Sequence, residues 1–317
     1  MTEPRTLQEA VLYFSNPDNC VAYLAAKRWP KGTICPVCGS DSVSAFNPNR
    51  RSWKCAKHHP KREFSVKVGT IFEDSAIPLD KWLIAVWMLT NCKNGISSYE
   101  VGRALGVTQK TAWFMLHRVR LALQDEAGGM LGGEVEVDET YIGGRARNMH
   151  AAKRRAKISG TGGVDKVAVM GLLERHGRVR TRVVANVRKP MLQSRVREQV
   201  ATGSQVFTDA LQSYDGLERE YVHQVIDHAE CYAKENVHTN GLENYWSLLK
   251  RGIRGTYVSV EPFHLFRYLD EQAFRFNNRE DYDDGDRFNL AISRIIGKRL
   301  TWDHLTGKAQ DPETNIN

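Results

Sequence analysis

The chain has 317 residues, 41% of them hydrophobic and 26% charged, with a formal net charge of +8 and a pI of about 9.1. This is long enough for two or three domains with one sizeable core, and no apolar run approaches the roughly 20 residues of a membrane span. Six cysteines in so long a chain exclude a disulfide scaffold, while the basic balance favours a polyanionic partner. Met1 to Arg5 lack the charged start and apolar run of a signal peptide, so a cytoplasmic, nucleoid-associated protein is expected.

Residues 1 to about 30 read as helical. Leu7, Ala10, Val11 and Phe14 recur at helical spacing, as do Val21, Leu24 and Ala25, and Asp18 or Asn19 after Pro17 is the expected cap. Next comes Cys35-Pro-Val-Cys38, then sixteen residues, then Cys55-Ala-Lys-His58. Two tight knuckles that each converge two soft or borderline side chains supply tetrahedral zinc. The expected ligands are Cys35, Cys38, Cys55 and His58, with His59 an alternative fourth. Val43 to Phe46 and Phe64 to Val68 suit short ribbon strands. Lys54, Lys57, His58, His59, Lys61 and Arg62 make the ribbon basic, while Cys20, Cys92 and Cys231 stand alone.

Pro78-Leu79-Asp80 opens a helix to about Cys92, and Gly95 breaks it. Ser97 or Ser98 caps a short helix, Tyr99 to Leu105. Gly106-Val107-Thr108 then leads into a longer helix from Gln109 to about Leu123. This is the helix-turn-helix pattern, although an αα-hairpin spacer would look the same. As a DNA reader it would present Thr108, Gln109 and Lys110, with Trp113 behind them, while His117, Arg118 and Arg120 would either reach backbone phosphates or be solvated.

Gly128-Gly129 and Gly132-Gly133 bracket a domain junction. Glu134 to Ile142 alternates strictly, as a strand does: Val135 and Val137 face one way, Glu134, Glu136 and Asp138 the other, so Glu139 is expected to face away from Asp138. Residues 145 to 157 carry Arg145, Arg147, Lys153, Arg154, Arg155 and Lys157 without an acid, either a DNA contact or a solvated insertion. Val167 to Leu173 and Val179 to Val187 form a hairpin about Gly177. A helix from Pro190 to Val200, a strand from Gln205 to Asp209, a short helix around Tyr214 to Arg219 and a strand from Tyr221 to Ile226 follow. His238 to Arg251 reads as an amphipathic helix capped by Thr239 or Asn240. Leu242, Trp246 and Leu249 form its apolar face, and Glu243 and Lys250, two turns apart, project within about 20° of each other. Beyond Pro262, helices are expected over Leu265 to Phe276 and Phe288 to Ile296, with the acidic run Glu280 to Asp286 a solvated loop. The expected domains are 1–75 (helix and ribbon), 76–128 (helix-turn-helix), 129–260 (catalytic core) and 261–317 (helical extension).

The order β, β, β, α, β, α, β, α predicts an α/β fold with a mixed sheet of the ribonuclease H-like kind. In such a sheet the first and fourth strands are neighbours, so Asp138 and Asp209 can meet and Glu243 on the following helix can close the site. Three converging carboxylates repel one another unless cations neutralise them, and hard oxygen ligands select magnesium or manganese. Two ions about 3.5–4 Å apart can activate a water or a DNA 3′-hydroxyl.

The chain resembles the DDE transposases of bacterial insertion sequences, in the ISXO-like group with an N-terminal zinc ribbon. The resemblance rests on Cys35-Pro-Val-Cys38, Gly69-Thr-Ile-Phe-Glu73, Val137-Asp138-Glu139-Thr-Tyr-Ile-Gly-Gly144, Phe207-Thr208-Asp209 and His238-Thr-Asn-Gly-Leu-Glu-Asn-Tyr-Trp-Ser-Leu-Leu-Lys-Arg251, in the family's order over roughly residues 30 to 260. It implies cleavage at the inverted-repeat ends of a mobile element and transfer of the freed 3′ ends into target DNA. Asp138 and Asp209 would be the two aspartates. Glu243, 33 residues beyond Asp209 and in an E-x6-K relation to Lys250, would be the third ligand, with Asn240 the alternative because some members carry Asn there. Lys250, Arg251 and Arg254 would meet DNA phosphates. The fourth ribbon ligand is His where the family usually has Cys. His223, His228 and His238 are candidate general bases, although two-metal chemistry needs none. The expected partner is double-stranded DNA, bound by a dimer or larger oligomer. A DNA-binding regulator with an inert core and a nuclease that cuts without joining are the other readings.

Overall fold

The computed structural model describes residues 3–125, 128–143, 166–226 and 238–308. They fall into two units, one from Met1–Gln124 with Asn278–Thr314, the other from Asp125–Asn277. No helix among the described residues is long and apolar enough to cross a membrane.

In the first unit, α1 (Leu7–Phe14) opens on a reciprocal capping box between Thr6 and Glu9. Asn16 caps α2 (Pro17–Arg28), two positions ahead of Asp18 and three ahead of Asn19, the residues expected to do so, because Pro17 with its fixed φ takes the first helical position. The ribbon strands β1 (Trp53–Lys54) and β2 (Glu63–Phe64) pair antiparallel, and Val43 joins them only by a bridge to Cys55. Three helices follow: α3 (Leu79–Asn91), α4 (Ser98–Leu105) and α5 (Gln109–Leu123). Ser97 and Glu100 box the start of α4, Gly106 at φ +60° ends it, and Thr108 accepts from the Thr111 N–H to start α5.

The second unit is a five-stranded sheet. Its strands are β3 (Glu134–Ile142), β4 (Val167–Glu174), β5 (Val179–Val184), β6 (Gln205–Asp209) and β7 (Val222–Ile226), in the spatial order β5-β4-β3-β6-β7. The three strands from β3 to β5 run antiparallel, and β6 and β7 are parallel to β3. That is the ribonuclease H-like order expected from the run of elements. Strand alternation makes two apolar faces. Val135, Val137, Met170 and Leu172 pack under α6 (Lys189–Gln199) through Leu192 and Val196. Val169, Leu173 and Val179 pack under α7 (Asn240–Arg251) and α8 (Leu265–Asn277) through Leu242, Trp246 and Leu269. Tyr214 to Arg219, expected as one short helix, forms two separate 3-10 turns, Gln212–Tyr214 and Leu217–Arg219.

The stretch expected as a single helical extension is shared between the units. α8 packs on β5, whereas α9 (Asp284–Ser293) returns to the first unit, where the Phe288 ring meets Phe14, Tyr23 and Trp87. The acidic run before it is a helix start rather than a solvated loop: Asp283 and Asp286 form a capping box, and both pair with Arg5. A last turn, α10 (Trp302–Leu305), ends the described chain.

Two glycines let α7 lie close to the sheet. A Cβ on Gly171 of β4 would stand 2.6 Å from Trp246 Cζ2, and one on Gly241 would stand 2.4 Å from Leu173 Cδ2 and 2.8 Å from Glu136 Oε2. Gly171→Ala must therefore displace Trp246, an overpacking cost of about 1–3 kcal/mol. Chemical denaturation should show that loss, whereas Gly255→Ala, at a position with open space around its Cβ, should cost much less.

Candidate active site and metal centre

The parallel pairing of β3 with β6 builds the acidic centre. Glu136 lies opposite Phe207, so two residues further on Asp138 and Asp209 stand side by side on the same face. Carboxylate oxygens of Asp138, Glu139 and Asp209 lie within 4.8 Å of one another. Asp138 is half-buried and accepts hydrogen bonds from Trp246 Nε1 at 2.9 Å and from the Glu139 N–H at 2.8 Å. Burial pushes its carboxyl above the usual range, helped by the charges of Asp209 and Glu243 and opposed by those two hydrogen bonds.

Glu139 corrects the strand-alternation reading. Its side chain does leave β3 on the opposite face, where the Tyr214 hydroxyl donates to it, yet its carboxylate still reaches the two aspartates. Burial, with Asp209 and Asp138 adding to it, pushes Glu139 up to about 7. Three carboxylates so crowded and partly desolvated form a hard-oxygen donor set that a divalent ion would relieve, and the residues fit magnesium or manganese.

The helical members stand at the edge of this cluster. Glu243 is in the first turn of α7 and exposed; it lies outside the 4.8 Å group, but its charge is felt by Asp138. Asn240 is the first residue of α7 and also exposed. Lys250 is half-buried two turns on. Burial and Arg254 hold its ammonium below the ordinary range, against the opposing pull of Asp138. Arg251 and Arg254 are exposed.

Two of the three candidate histidines are described and otherwise engaged. His223 Nε2 lies 2.9 Å from the Thr208 hydroxyl, and burial lowers its pKa. His238 lies against Glu136 and Arg175. His228, Cys231, Gly144, Arg145, Arg147 and the rest of the basic run to Lys157 lie outside the described residues.

In the ribbon, ligand atoms of Cys35, Cys38, Cys55 and His59 converge within 4.8 Å. Cys35 Sγ is 3.4 Å from His59 Nε2, and Cys38 Sγ is 3.6 Å from Cys55 Sγ. The sulfur pair is far too long for a disulfide. Both separations are close to the edges, about 3.6–3.8 Å, of a tetrahedron of Cys and His donors around zinc. Burial pushes the Cys35 thiol up, but hydrogen bonds from the N–H groups of Cys38 and Val37 and from the Cys38 and Cys55 thiols together leave it below its ordinary value. His58, the fourth ligand expected from the C-x2-H spacing, is exposed and outside the cluster. The chain bends at Ala56 and Lys57 after Cys55, so one more residue passes before a side chain turns back inward.

The comparisons with known proteins agree with this architecture. The model of the ISXO2-like transposase domain matches residues 130–277, and that of the transposase zinc-ribbon domain matches residues 15–58, ending one residue before His59. A protein in transposable element ISH50 of Halobacterium salinarum is 31% identical over 274 residues, covering 81% of this chain and 91% of that protein. The chain belongs to the ISXO2-like DDE transposases with an N-terminal zinc ribbon. A transposase-like protein of Haemophilus influenzae is 36% identical over 104 residues, covering 32% of this chain and 84% of that one. A chain of the simian T-cell lymphotropic virus intasome in complex with PP2A regulatory subunit B56 gamma aligns over 65% of this chain and 72% of its own. Its identity is 14% and its TM-score 0.30, too low to define a shared fold.

In this transposase the turn before α5 leaves Thr108 and Lys110 exposed, with Gln109 donating to Ser98 Oγ at 2.8 Å and the Lys110 ammonium 4.5 Å over the Trp302 ring. His117, Arg118 and Arg120 do not share that surface. Arg118 is only 5% exposed, and its guanidinium donates to the carbonyls of Leu300, Ile71 and Glu73. All three side chains are buried, and Arg118 is turned onto the Gly69–Glu73 segment. Arg118 is therefore a core residue and not a phosphate contact. Arg118→Ala would leave three inward-facing carbonyls without their donor, at a cost of about 3 kcal/mol. The expected result is a lower melting temperature, and a variant as stable as the parent but weaker in DNA binding would restore the phosphate reading.

Proposed function

We propose that this transposase binds the terminal inverted repeats of an insertion sequence, cleaves its ends and transfers the freed 3′-hydroxyl strands into target DNA. The observation that carries this reading is the convergence of Asp138, Glu139 and Asp209 at the β3–β6 junction, with Glu243 presented by α7 beside them. Asp138, Asp209 and Glu243 would hold two magnesium or manganese ions, with Asn240 the alternative to Glu243 and Glu139 within reach. Such ions, when bound, activate the attacking water or 3′-hydroxyl and stabilise the leaving oxygen. Trp246 keeps Asp138 oriented by its N–H, and Tyr214 does the same for Glu139. Lys250, Arg251 and Arg254 sit along or just beyond α7, where they would meet the phosphates of the strand being processed. Thr108, Gln109 and Lys110 would read the element ends through the helix-turn-helix region 76–128, and pairing two ends requires a dimer or larger assembly. The ribbon would hold one structural zinc through Cys35, Cys38, Cys55 and His59.

Strand transfer with the element's own ends and Mg2+ or Mn2+ tests the centre. Asp138→Asn, Asp209→Asn and Glu243→Gln should each lower product by roughly 10³-fold, the scale of several kcal/mol of charge stabilisation at 1.36 per decade. Asn240→Ala should retain most activity. Loss with Asn240→Ala but not Glu243→Gln would move the third position to Asn240. Full activity after loss of either aspartate would show that this centre does not carry the reaction, no product from the unaltered chain despite specific binding to the ends would favour a DNA-binding protein with an inert core, and hydrolysis without joined products would favour a nuclease.

Metal analysis of the purified chain should give about one zinc per chain, the expectation for a closed structural site. Cys35→Ser and His59→Ala should lose it and His58→Ala should keep it. The opposite pattern for the two histidines would return the ligand to His58.

A further inference from the structure

The helix that carries Glu243 begins without a side-chain cap of its own, since Thr239 makes no capping hydrogen bond. Its Leu242 N–H donates instead to Glu136 Oε2 at 2.9 Å, a residue of β3 two positions before Asp138 and only 1% exposed. The other oxygen of Glu136 faces Arg175 Nε at 3.1 Å and His238 Nδ1 at 3.5 Å. Arg175 in turn donates to the His238 carbonyl at 2.7 Å and to Glu134 Oε2 at 3.1 Å, with its guanidinium 4.0 Å over the Phe207 ring. One buried carboxylate and one buried guanidinium thus join β3, β6 and the residue leading into α7. Gly241, whose Cβ would stand 2.8 Å from Glu136 Oε2, lets the helix come this close. A carboxylate at a helix N-terminus is favoured by the helix dipole, and burying it requires the paired cation. Glu136 is engaged by these partners, so its role is structural support of the centre rather than membership in it.

We propose that Glu136 and Arg175 are positioning residues that fix the first turn of α7, and so present Glu243 at the edge of the carboxylate cluster of β3 and β6. This sets the affinity of the acidic centre for a divalent ion, and it rests on the two-metal reading above. Outer partners that orient metal ligands typically change affinity 10–100-fold when removed.

The test is Mn2+ binding to the full chain, read from the loss of free-ion signal in electron paramagnetic resonance, with zinc content and thermal melting followed in parallel. The parent should bind Mn2+, and Asp138→Asn and Glu243→Gln should weaken it. Parent binding that is absent or insensitive to Asp138→Asn would overturn the two-metal reading itself, and a Glu243→Gln variant that binds like the parent would overturn the third ligand. With those in place, Glu136→Ala should weaken Mn2+ binding about tenfold or more while zinc stays bound. The same change made in Glu243→Gln should add almost nothing, because Glu136 acts through Glu243. Mn2+ affinity unchanged by Glu136→Ala, or losses that simply add in the double variant, would overturn the proposal. Arg175→Lys keeps the charge beside Glu136 but gives up the guanidinium fork. It should weaken Mn2+ binding several-fold with a cooperative melt retained, and so it decides the question even where Glu136→Ala fails to fold; parental affinity in Arg175→Lys overturns it there.

Discussion

The second unit depends on one pairing, that of β3 with β6. Strands far apart in sequence run parallel there, and two residues beyond their last paired position, Glu136 with Phe207, each carries an aspartate. The result is a place where carboxylates are forced together and partly removed from water. Burial and mutual repulsion both disfavour their charged forms, and the fold tolerates this because Trp246 and Tyr214 each donate a hydrogen bond into the cluster. A bound divalent cation would relieve both effects.

The neighbouring helix α7 is held by complementary shape and by charge together. Gly171 stands opposite Asp138 in the β3–β4 register, and the absence of its side chain makes the room that the Trp246 ring fills. The same ring then reaches Asp138. At the start of the helix, Gly241 does likewise for Glu136. Packing and hydrogen bonding are thus not separate contributions: each glycine permits a contact that orients a carboxylate of β3, one inside the centre and one beneath it.

In the first unit, charged residues serve the core as well as the surface. Arg118 satisfies three carbonyls, two of them from the Gly69–Glu73 segment, and the Asp283–Asp286 pair both starts α9 and binds Arg5. What remains exposed at the start of α5 is Thr108 and Lys110.

Periodicity and spacing in the sequence were enough for the order of strands and helices, the mixed sheet, the apolar face of α7 and the grouping of the ribbon cysteines. These depend on local rules: period 2 in strands, 3.6 in helices, and knuckle spacing for metal. Tertiary structure decided between neighbours in sequence. It chose His59 over His58 because a bend follows Cys55, added Glu139 to the acids because its side chain reaches around the strand, and turned Arg118 inward because α5 buries that face. It also supplied partners that no local pattern announces. Glu136 and Arg175 are 39 residues apart and Glu139 and Tyr214 are 75 apart. A side chain's environment at such separations depends on which elements the fold brings together, and that is settled only when the whole sheet and its covering helices are packed.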